Sequence, residues 1–446
     1  MKSNVDLLHG NIMKSLMIFA IPMLISSIFQ QMYNTVDTIL VGNILGETSL
    51  AAIGAGSPIN ELILGFALGI GSGLSIVTAR SYGSGDVELM KKSVANVILI
   101  GTGVSVIVTV IALLGVHPLL VLLRTPEAIL DEAKAYISLI AAFLWVSMLY
   151  NLCSGLLRAV GNSLMPLIFL IISSIINIFL DYYFITETGL GIRGAAVATV
   201  ISQFISSICS IIYLVKKCPM LVPKKEHFRF DKALFEEMIG QGISMGLMRS
   251  IVSSGSVVLQ YGINGLGYLT IAAHTTARKI YMFGNMPFIS MGSAISTFVS
   301  QNKGADQPQR IRKAMKCAAW YSVVVDLVIV VCFGLFAQKM VAVVSGSSEQ
   351  VLLDNATMYL WVVAPFFTVL GCLNCLRHAL SGLGMKKLPL VSSVIEFIGK
   401  VIFVAVLIPV FGYKAVIFCE PVIWCVMVVQ LAISFYGNPY IKSAKK

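Results

Sequence analysis

The sequence predicts an all-α polytopic membrane protein with twelve transmembrane helices, and three observations carry that prediction. First, 57% of the 446 residues are hydrophobic and 12% are charged, against ~25% charged in a soluble domain; mean hydropathy is +0.88. Second, the apolar runs are continuous and reach ~20 residues, enough to cross a bilayer. They do not alternate as barrel strands do, so the spans are expected to be helices. Third, the basic residues sort to one side of the predicted spans.

Those spans are 16–41, 50–75, 93–116, 135–157, 165–186, 194–215, 240–262, 269–300, 317–338, 356–376, 389–411 and 415–437. An even number puts both termini on one side. The loops on that side hold 23 Lys and Arg and the opposite loops hold 5. By the positive-inside rule both termini are then cytoplasmic, in a cell inner membrane. Four cations (Arg249, Arg278, Lys279, Lys400) fall inside spans. The polar start, MKSNVDLLHGNIMKS, is not followed by a small-residue cleavage site, so no cleaved signal is expected.

This topology accounts for the net charge of +11, and no basic cluster interleaved with aromatics points to nucleic acid. Most of the nine cysteines lie in apolar runs and read as small packing residues. Cys372 and Cys375 form a CxxC with no second pair nearby, which reads the same way. Five scattered histidines do not suggest a metal enzyme. The absence of a GxxxxGKS/T loop argues against ATP drive. The expectation is a transporter and not an enzyme, needing no cofactor.

Lys216–Glu237 is the longest charged stretch and divides the spans six and six. LAAIGAG (50–56) resembles IAAHTTA (271–277), GIGSGLSIVTARSYGSGD (69–86) resembles ISMGSAISTFVSQNKGAD (289–306), and LLRAVGNSLMP (156–166) resembles ALSGLGMKKLP (379–389). The offset is nearly constant, so the halves form a parallel repeat related by an axis along the membrane normal. The organisation read here is a first lobe at 1–215, a cytoplasmic linker at 216–239 and a second lobe at 240–446. Two pseudo-symmetric six-helix lobes around a cleft suit alternating access.

In the first lobe, Phe19–Val41 carries a carboxylate, Asp37. An acid inside a membrane costs on the order of 3 kcal/mol, and it survives mainly where it faces a cavity or a partner. Gln30, Tyr33, Asn34 and Asp37 share one helix face. A helix-to-helix hydrogen-bond patch is the alternative to a binding face. In the fifth span Asn177 and Asp181 are four apart and also share a face. Tyr182 and Tyr183 next to them also fit an interfacial belt that would leave Asp181 in water. Thr199 in the sixth span offers a hydroxyl, and Asn151 and Ser154 in the fourth add two polar groups. Two carboxylates, an amide and a hydroxyl can hold a proton or a dehydrated sodium ion, since a hard cation takes oxygen ligands. That makes Asp37, Asn177 and Asp181 the candidate Na+ ligands. Pro22, about one turn into the span, either marks a hinge or is simply tolerated near the helix start.

The second lobe differs. The position matching Asp37 is Val257 or Val258, and those matching Asn177 and Asp181 are Lys400 and Val404. Glu396 and Lys400 stand in the favoured order for an i,i+4 ion pair. Lys400 either tunes the cleft's potential or neutralises Glu396. Glu61 and Glu420, near span ends, are expected to be hydrated.

These residues resemble the MATE (multidrug and toxic compound extrusion) transporters over nearly the whole chain. The carrying stretches are IPMLISSIFQQMYNTVDTILVGNILGETSLAAIG (21–54), SYGSGD (81–86) with its echo QNKGAD (301–306), LLRAVGNSLMP (156–166) and NIFLDYYFI (177–185). The aspartate in the first span together with NxxxD in the fifth resembles the DNA-damage-inducible branch. The resemblance implies two six-helix lobes in a V and export of lipophilic, often cationic compounds against proton or sodium entry. In that branch the cation site lies in the first lobe, where Asp37, Asn177, Asp181 and Thr199 match its residues. A fourth-span asparagine of some members falls at Ser154, with Asn151 one turn earlier. The norfloxacin-resistance branch has acids in its seventh and tenth spans, and this chain has none there.

The functional expectation is a monomeric, cation-coupled multidrug antiporter working on small molecules within the lipid bilayer. Gln30, Tyr33, Asn34, Asn151 and Ser154 would line its cleft. The alternative keeps the architecture and changes the cargo, to a flippase of lipid-linked precursors or polysaccharide units, which would favour a cationic cleft. Lys400 and Arg249 support that alternative, and the first-lobe acids oppose it. The major facilitator group also has six plus six spans, but its GxxxDRxGRR loop is missing after the second span.

Overall fold

A chain in hydrocarbon must satisfy every backbone N–H and C=O internally, and this one does so with helices. The computed structural model describes residues 4–123 and 125–443, and among them there is no strand. Lys2, Arg124, Lys445 and Lys446, counted above with the loop charges, lie outside the described residues. By length and composition ten helices can cross a membrane, and one bent pair makes an eleventh span. The remaining expected span, 269–300, is a helix of 37 residues. It is long enough, but neither half is apolar enough to count by composition: His274, Arg278 and Lys279 lie in the first, and Asn285, Pro287 and several Ser and Gly in the second.

The described chain forms two compact units. One comprises residues up to Asp6 together with Ile21–Ser250; the other comprises Leu7–Ala20 and everything from Ile251. α1 (Ile12–Leu45) therefore begins in the second unit and enters the first one residue before Pro22. It runs unbroken through Pro22. The Ser26 hydroxyl donates to the Pro22 carbonyl at 2.8 Å and Ser27 to that of Met23 at 3.1 Å. Hydroxyls turned back onto their own helix in this way need no water.

The first unit continues with α2 (Glu47–Gly83) and α3 (Val87–Leu122). Between them Gly85 takes a φ of 73°, and Asp86 caps α3 by accepting from Leu89 N at 2.8 Å. α4 (Glu127–Ala142) and α5 (Leu144–Ala159) make one span bent by 46° at Phe143. α6 (Leu164–Thr186) and α7 (Ile192–Lys217) follow. After the short turns of the 216–239 segment comes α8 (Lys232–Asn264), which belongs to this unit as far as Ser250. In that segment Glu237 pairs with Arg80, and buried His227 meets Glu88 at 3.1 Å. The core gathers Leu74, Val77, Met90, Leu144, Leu157 and Met238, with a second cluster around Val41, Ile59, Val116 and Tyr136. α2 and α8 meet through glycines. A Cβ on Gly69 would sit 2.6 Å from Gly246 Cα, and one on Gly73 would sit 2.5 Å from the Gln241 carbonyl. Small residues at such a crossing let backbones approach closely where lipid supplies no hydrophobic drive.

The second unit holds the rest of α8, then α9 (Tyr268–Gly304), α10 (Pro308–Ser345) and α11 (Gln350–Val363). A 3-10 turn at Ala364–Phe366 joins α11 to α12 (Phe367–Gly382). Pro365 cannot continue an α-helix here, because it lacks the N–H. Asp326 on α10 holds the restart: its Oδ2 accepts from Thr368 N at 3.0 Å and from Thr368 Oγ1 at 2.6 Å. This break and the one at Phe143 fall at matching positions of the repeat. The loops after α2 and α9 match as well, Gly85 at Ala305 and Asp86 at Asp306; Asp306 is the one non-glycine residue with positive φ, 51°, among the described residues. α13 (Lys387–Ile402) widens into a π-turn at Phe403–Leu407 before α14 (Ile408–Phe411), just ahead of Pro409, which has no N–H to give the helix. α15 (Tyr413–Gly437) and α16 (Pro439–Ser443) complete the chain.

Candidate functional site

In the first unit, α1 brings Asp37 into the interior with 9% of its surface exposed, and α6 brings Asn177 and Asp181 in at 2% and 0%. The two carboxyl groups lie within interaction range of each other, and Asn177 lies within range of Asp181. Tyr33 and Tyr136 also face Asp37. Despite this proximity, Oδ1 of Asp37, both oxygens of Asp181 and the side-chain oxygen of Asn177 are buried with no hydrogen-bond donor. Buried polar atoms are nearly always paired. Four oxygens without a donor therefore share one neighbourhood, two of them on a fully buried acid, together with the unpaired Nδ2 of Asn177.

One turn from these acids lies a polar cavity of about 440 Å³, its open mouth included. Gln30 and Tyr33 line it from α1, Tyr150 and Asn151 from α5, and Asn177 from α6. Thr199, Ser202 and Gln203 line it from α7. Asn151 donates to the Ser147 carbonyl at 2.7 Å, Ser147 donates to Gln203, and Tyr150 donates to the Pro166 carbonyl at 3.0 Å. These bonds fix Tyr150, Asn151 and Gln203 in the wall.

Of the residues singled out from sequence, Gln30, Tyr33, Asn151, Asn177 and Thr199 line this cavity. Asp37 and Asp181 sit a turn beyond it, Ser154 is buried outside the lining set, and Asn34 is exposed. Asp181 lies in the interior, whereas Tyr182 and Tyr183 beside it are exposed. Sequence reasoning missed Gln203 and Tyr136. Gln203 could have been found, since it lies four residues after Thr199 and so on the same face.

In the second unit Lys400 Nζ bonds Glu396 Oε1 at 3.1 Å, the i,i+4 pair expected. Two other expectations are corrected. Glu420 is not hydrated at a span end; it is buried and pairs with Arg278 at 2.6 Å and Lys400 at 3.6 Å. Arg377, counted with the cytoplasmic loop charges, is buried on α12. There its Nε donates to Ser392 at 2.9 Å and its Nη2 meets Glu396 at 3.3 Å. The reason is that α12 continues to Gly382, past the expected span end, so Arg377 packs among helices. Glu61 is exposed, as expected. Among the described residues no cluster of three or more His, Cys, Asp or Glu could ligate a metal.

The family model for MatE matches the chain twice, over residues 22–183 and again over 245–407. The chain belongs to the MatE family. A MatE protein is a membrane transporter, so this one is not an enzyme. The "Probable multidrug resistance protein YoeA" of Bacillus subtilis is 26% identical over 87% of this chain and 85% of its own length. The "FAD transporter" of Shewanella oneidensis is 25% identical, covering 85% and 84%. The "Multidrug export protein MepA" of Staphylococcus aureus is 20% identical, covering 94% and 91%. A solved structure described as the "outward-facing conformation of a multidrug resistance MATE family transporter of the MOP superfamily" superposes with a TM-score of 0.91. It is 23% identical and covers 100% of this chain and 99% of that one. At that identity the likeness shows the fold: this MatE chain is a multi-pass helical protein of the same architecture.

Proposed function

We propose that this MatE transporter exports lipophilic, often cationic small molecules in exchange for a proton or a sodium ion. The ion is held at Asp37, Asn177 and Asp181, with Thr199 at the edge of the site. The observation that carries the reading is the set of buried oxygens with no donor on those three residues. Binding a cation there neutralises the chamber and favours one conformation, and cargo favours the other. The coupling is reciprocal, because each ligand shifts the equilibrium only by its differential affinity for the two states. Residues 1–215 and 240–446 act as the two lobes, joined by 216–239, in a monomer with both termini cytoplasmic. Gln30, Tyr33, Asn34, Asn151 and Ser154 contact cargo or shape its path, and Pro22 is the hinge in α1. Glu396 and Lys400 tune the charge of the second lobe. Relatives named for multidrug export support the cargo class, and the first-lobe acids support kinship with the DNA-damage-inducible branch.

The test is transport of a lipophilic cation such as ethidium into everted vesicles, with a proton gradient or a sodium gradient imposed separately. Uphill movement under one gradient and none without either is the expected result. A second reading, export or flipping of an anionic amphiphile such as a lipid-linked precursor, is favoured by one observation. In the second unit three buried or half-buried cations (Arg278, Arg377, Lys400) face two acids. Movement of ethidium that neither gradient affects, together with movement of an anionic amphiphile, would select it.

A further inference from the structure

The charges of the second unit alternate along a ladder: Arg278, Glu420, Lys400, Glu396, Arg377. They come from α9, α15, α13 and α12. Lys400 is 1% exposed, and both acids and Arg377 are buried. Each acid bridges two cations, so the ladder ends in arginines at both ends and carries one positive charge in excess. At one end Arg377 bonds through both Nε, to Ser392, and Nη2, to Glu396. At the other end Arg278 bonds through Nη1 alone.

Arg278 is held rigidly. Its guanidinium lies 4.4 Å above the Tyr281 ring, and Tyr281 stacks between Phe367 and Trp424 with centroids 5.4 and 6.1 Å away. One nitrogen, Nη1, donates to Glu420 Oε2 at 2.6 Å and to Tyr359 Oη at 3.3 Å. Among the described residues Nε and Nη2 have no hydrogen-bond partner, although the side chain is 31% exposed. Arg278 lies ten residues past the start of α9, roughly 15 Å along the helix at 1.5 Å per residue. A guanidinium edge left open to lipid at that depth is costly. An edge open to a ligand is not, and the planar fork matches two oxygens of a carboxylate or phosphate.

We infer that the free Nε–Nη2 edge of Arg278, the exposed side of a guanidinium whose other side is held by Glu420, Tyr359 and Tyr281, binds one anionic group, carboxylate or phosphate, of an amphipathic ligand. This deepens the proposed transport function and rests on the cargo being amphipathic, but it assigns the anionic end of that cargo to the second unit. Neutral Tyr359 and the already bridged Glu420 leave no acid free to compensate Arg278, so a cationic cargo gains nothing there.

The test uses purified full-length protein in neutral detergent and three probes with the same ring: 2-naphthoate, 2-naphthyl phosphate and 2-naphthylmethylammonium. Affinities are measured for the wild type, Arg278→Ala, Arg278→Lys and Lys279→Ala. Arg278→Lys keeps a charge for Glu420 while removing the fork, and thermal melting shows which variants are folded. The expected result is that one or both anions bind the wild type and lose about tenfold or more in affinity in both Arg278 variants. Lys279→Ala, which removes an exposed neighbouring cation outside the ladder, leaves anion affinity unchanged, and the ammonium probe is indifferent to Arg278. Displacement of the anion by phosphatidylglycerol assigns the site to a lipid headgroup, and lack of displacement assigns it to a soluble cargo. Equal anion affinity in the wild type and a folded Arg278→Lys overturns the proposal. So does an equal loss in Lys279→Ala, or no binding of either anion by folded wild type. Arg278-dependent anion binding in a protein that moves no ethidium under either gradient would leave this site standing and remove the cationic-cargo reading; the converse result would do the opposite.

Discussion

Replacing Asp37 with Asn isolates the charge of the chamber from its shape. The side chain is nearly isosteric and 9% exposed, so packing changes little. Asp37 and Asp181 face each other with three of their four oxygens lacking donors. Two unit charges ~5 Å apart at an effective dielectric of ~20 repel by about 3 kcal/mol. At about 1.4 kcal/mol per tenfold, an empty, doubly ionised chamber is disfavoured by roughly a hundredfold against one holding a cation. Asp37→Asn removes that bias and leaves Asp181 alone. The expected outcome is loss of gradient-driven ethidium export to background, with no loss of thermal stability beyond about 1 kcal/mol. The assay is export in everted vesicles, normalised to protein in the membrane, alongside melting of the purified variant. Export by Asp37→Asn within twofold of wild type at equal abundance would refute the reasoning, because a buried acid that can be neutralised without consequence is not the coupling site.

Other substitutions test the fold around the site. Glu420→Ala strands Arg278, leaves Lys400 with Glu396 alone, and should destabilise the protein by about 3–5 kcal/mol, read as a lowered detergent melting temperature. The double variant Glu420→Gln/Arg278→Met should recover part of that loss. Gly73→Leu drives a side chain into the Gln241 carbonyl and should cost at least 1–3 kcal/mol, seen as reduced membrane abundance. Asp86→Ala removes the cap on Leu89 N and should cost about 1 kcal/mol, measured by the same melting without a change in ion selectivity.

Much of the architecture was legible because membrane helices are written in runs. The bilayer sets their length, the loops carry the charge bias, and the repeat in the loops could be read letter by letter. The double match of the family model and the paired breaks at Phe143 and Ala364–Phe366 fit that repeat. The span at 269–300 was read from the sequence with the other eleven, although its helix falls short of the others in apolar composition.

Within one helix the 3.6-residue period determines which residues share a face, and so Asp37 with Tyr33, Asn177 with Asp181, and Glu396 with Lys400 could be named from sequence alone. Period says nothing about which face of another helix comes to meet them. That depends on where small residues such as Gly73 and Gly246 let backbones close, and on where a helix bends. Only the tertiary structure placed Asp181 against Asp37 without donors, carried Gln203 to Ser147, and drew Glu420 and Arg377 from presumed span ends onto Lys400 and Glu396. The buried charges of Glu420 and Arg377 are stable only beside their partners, and those partners lie on other helices.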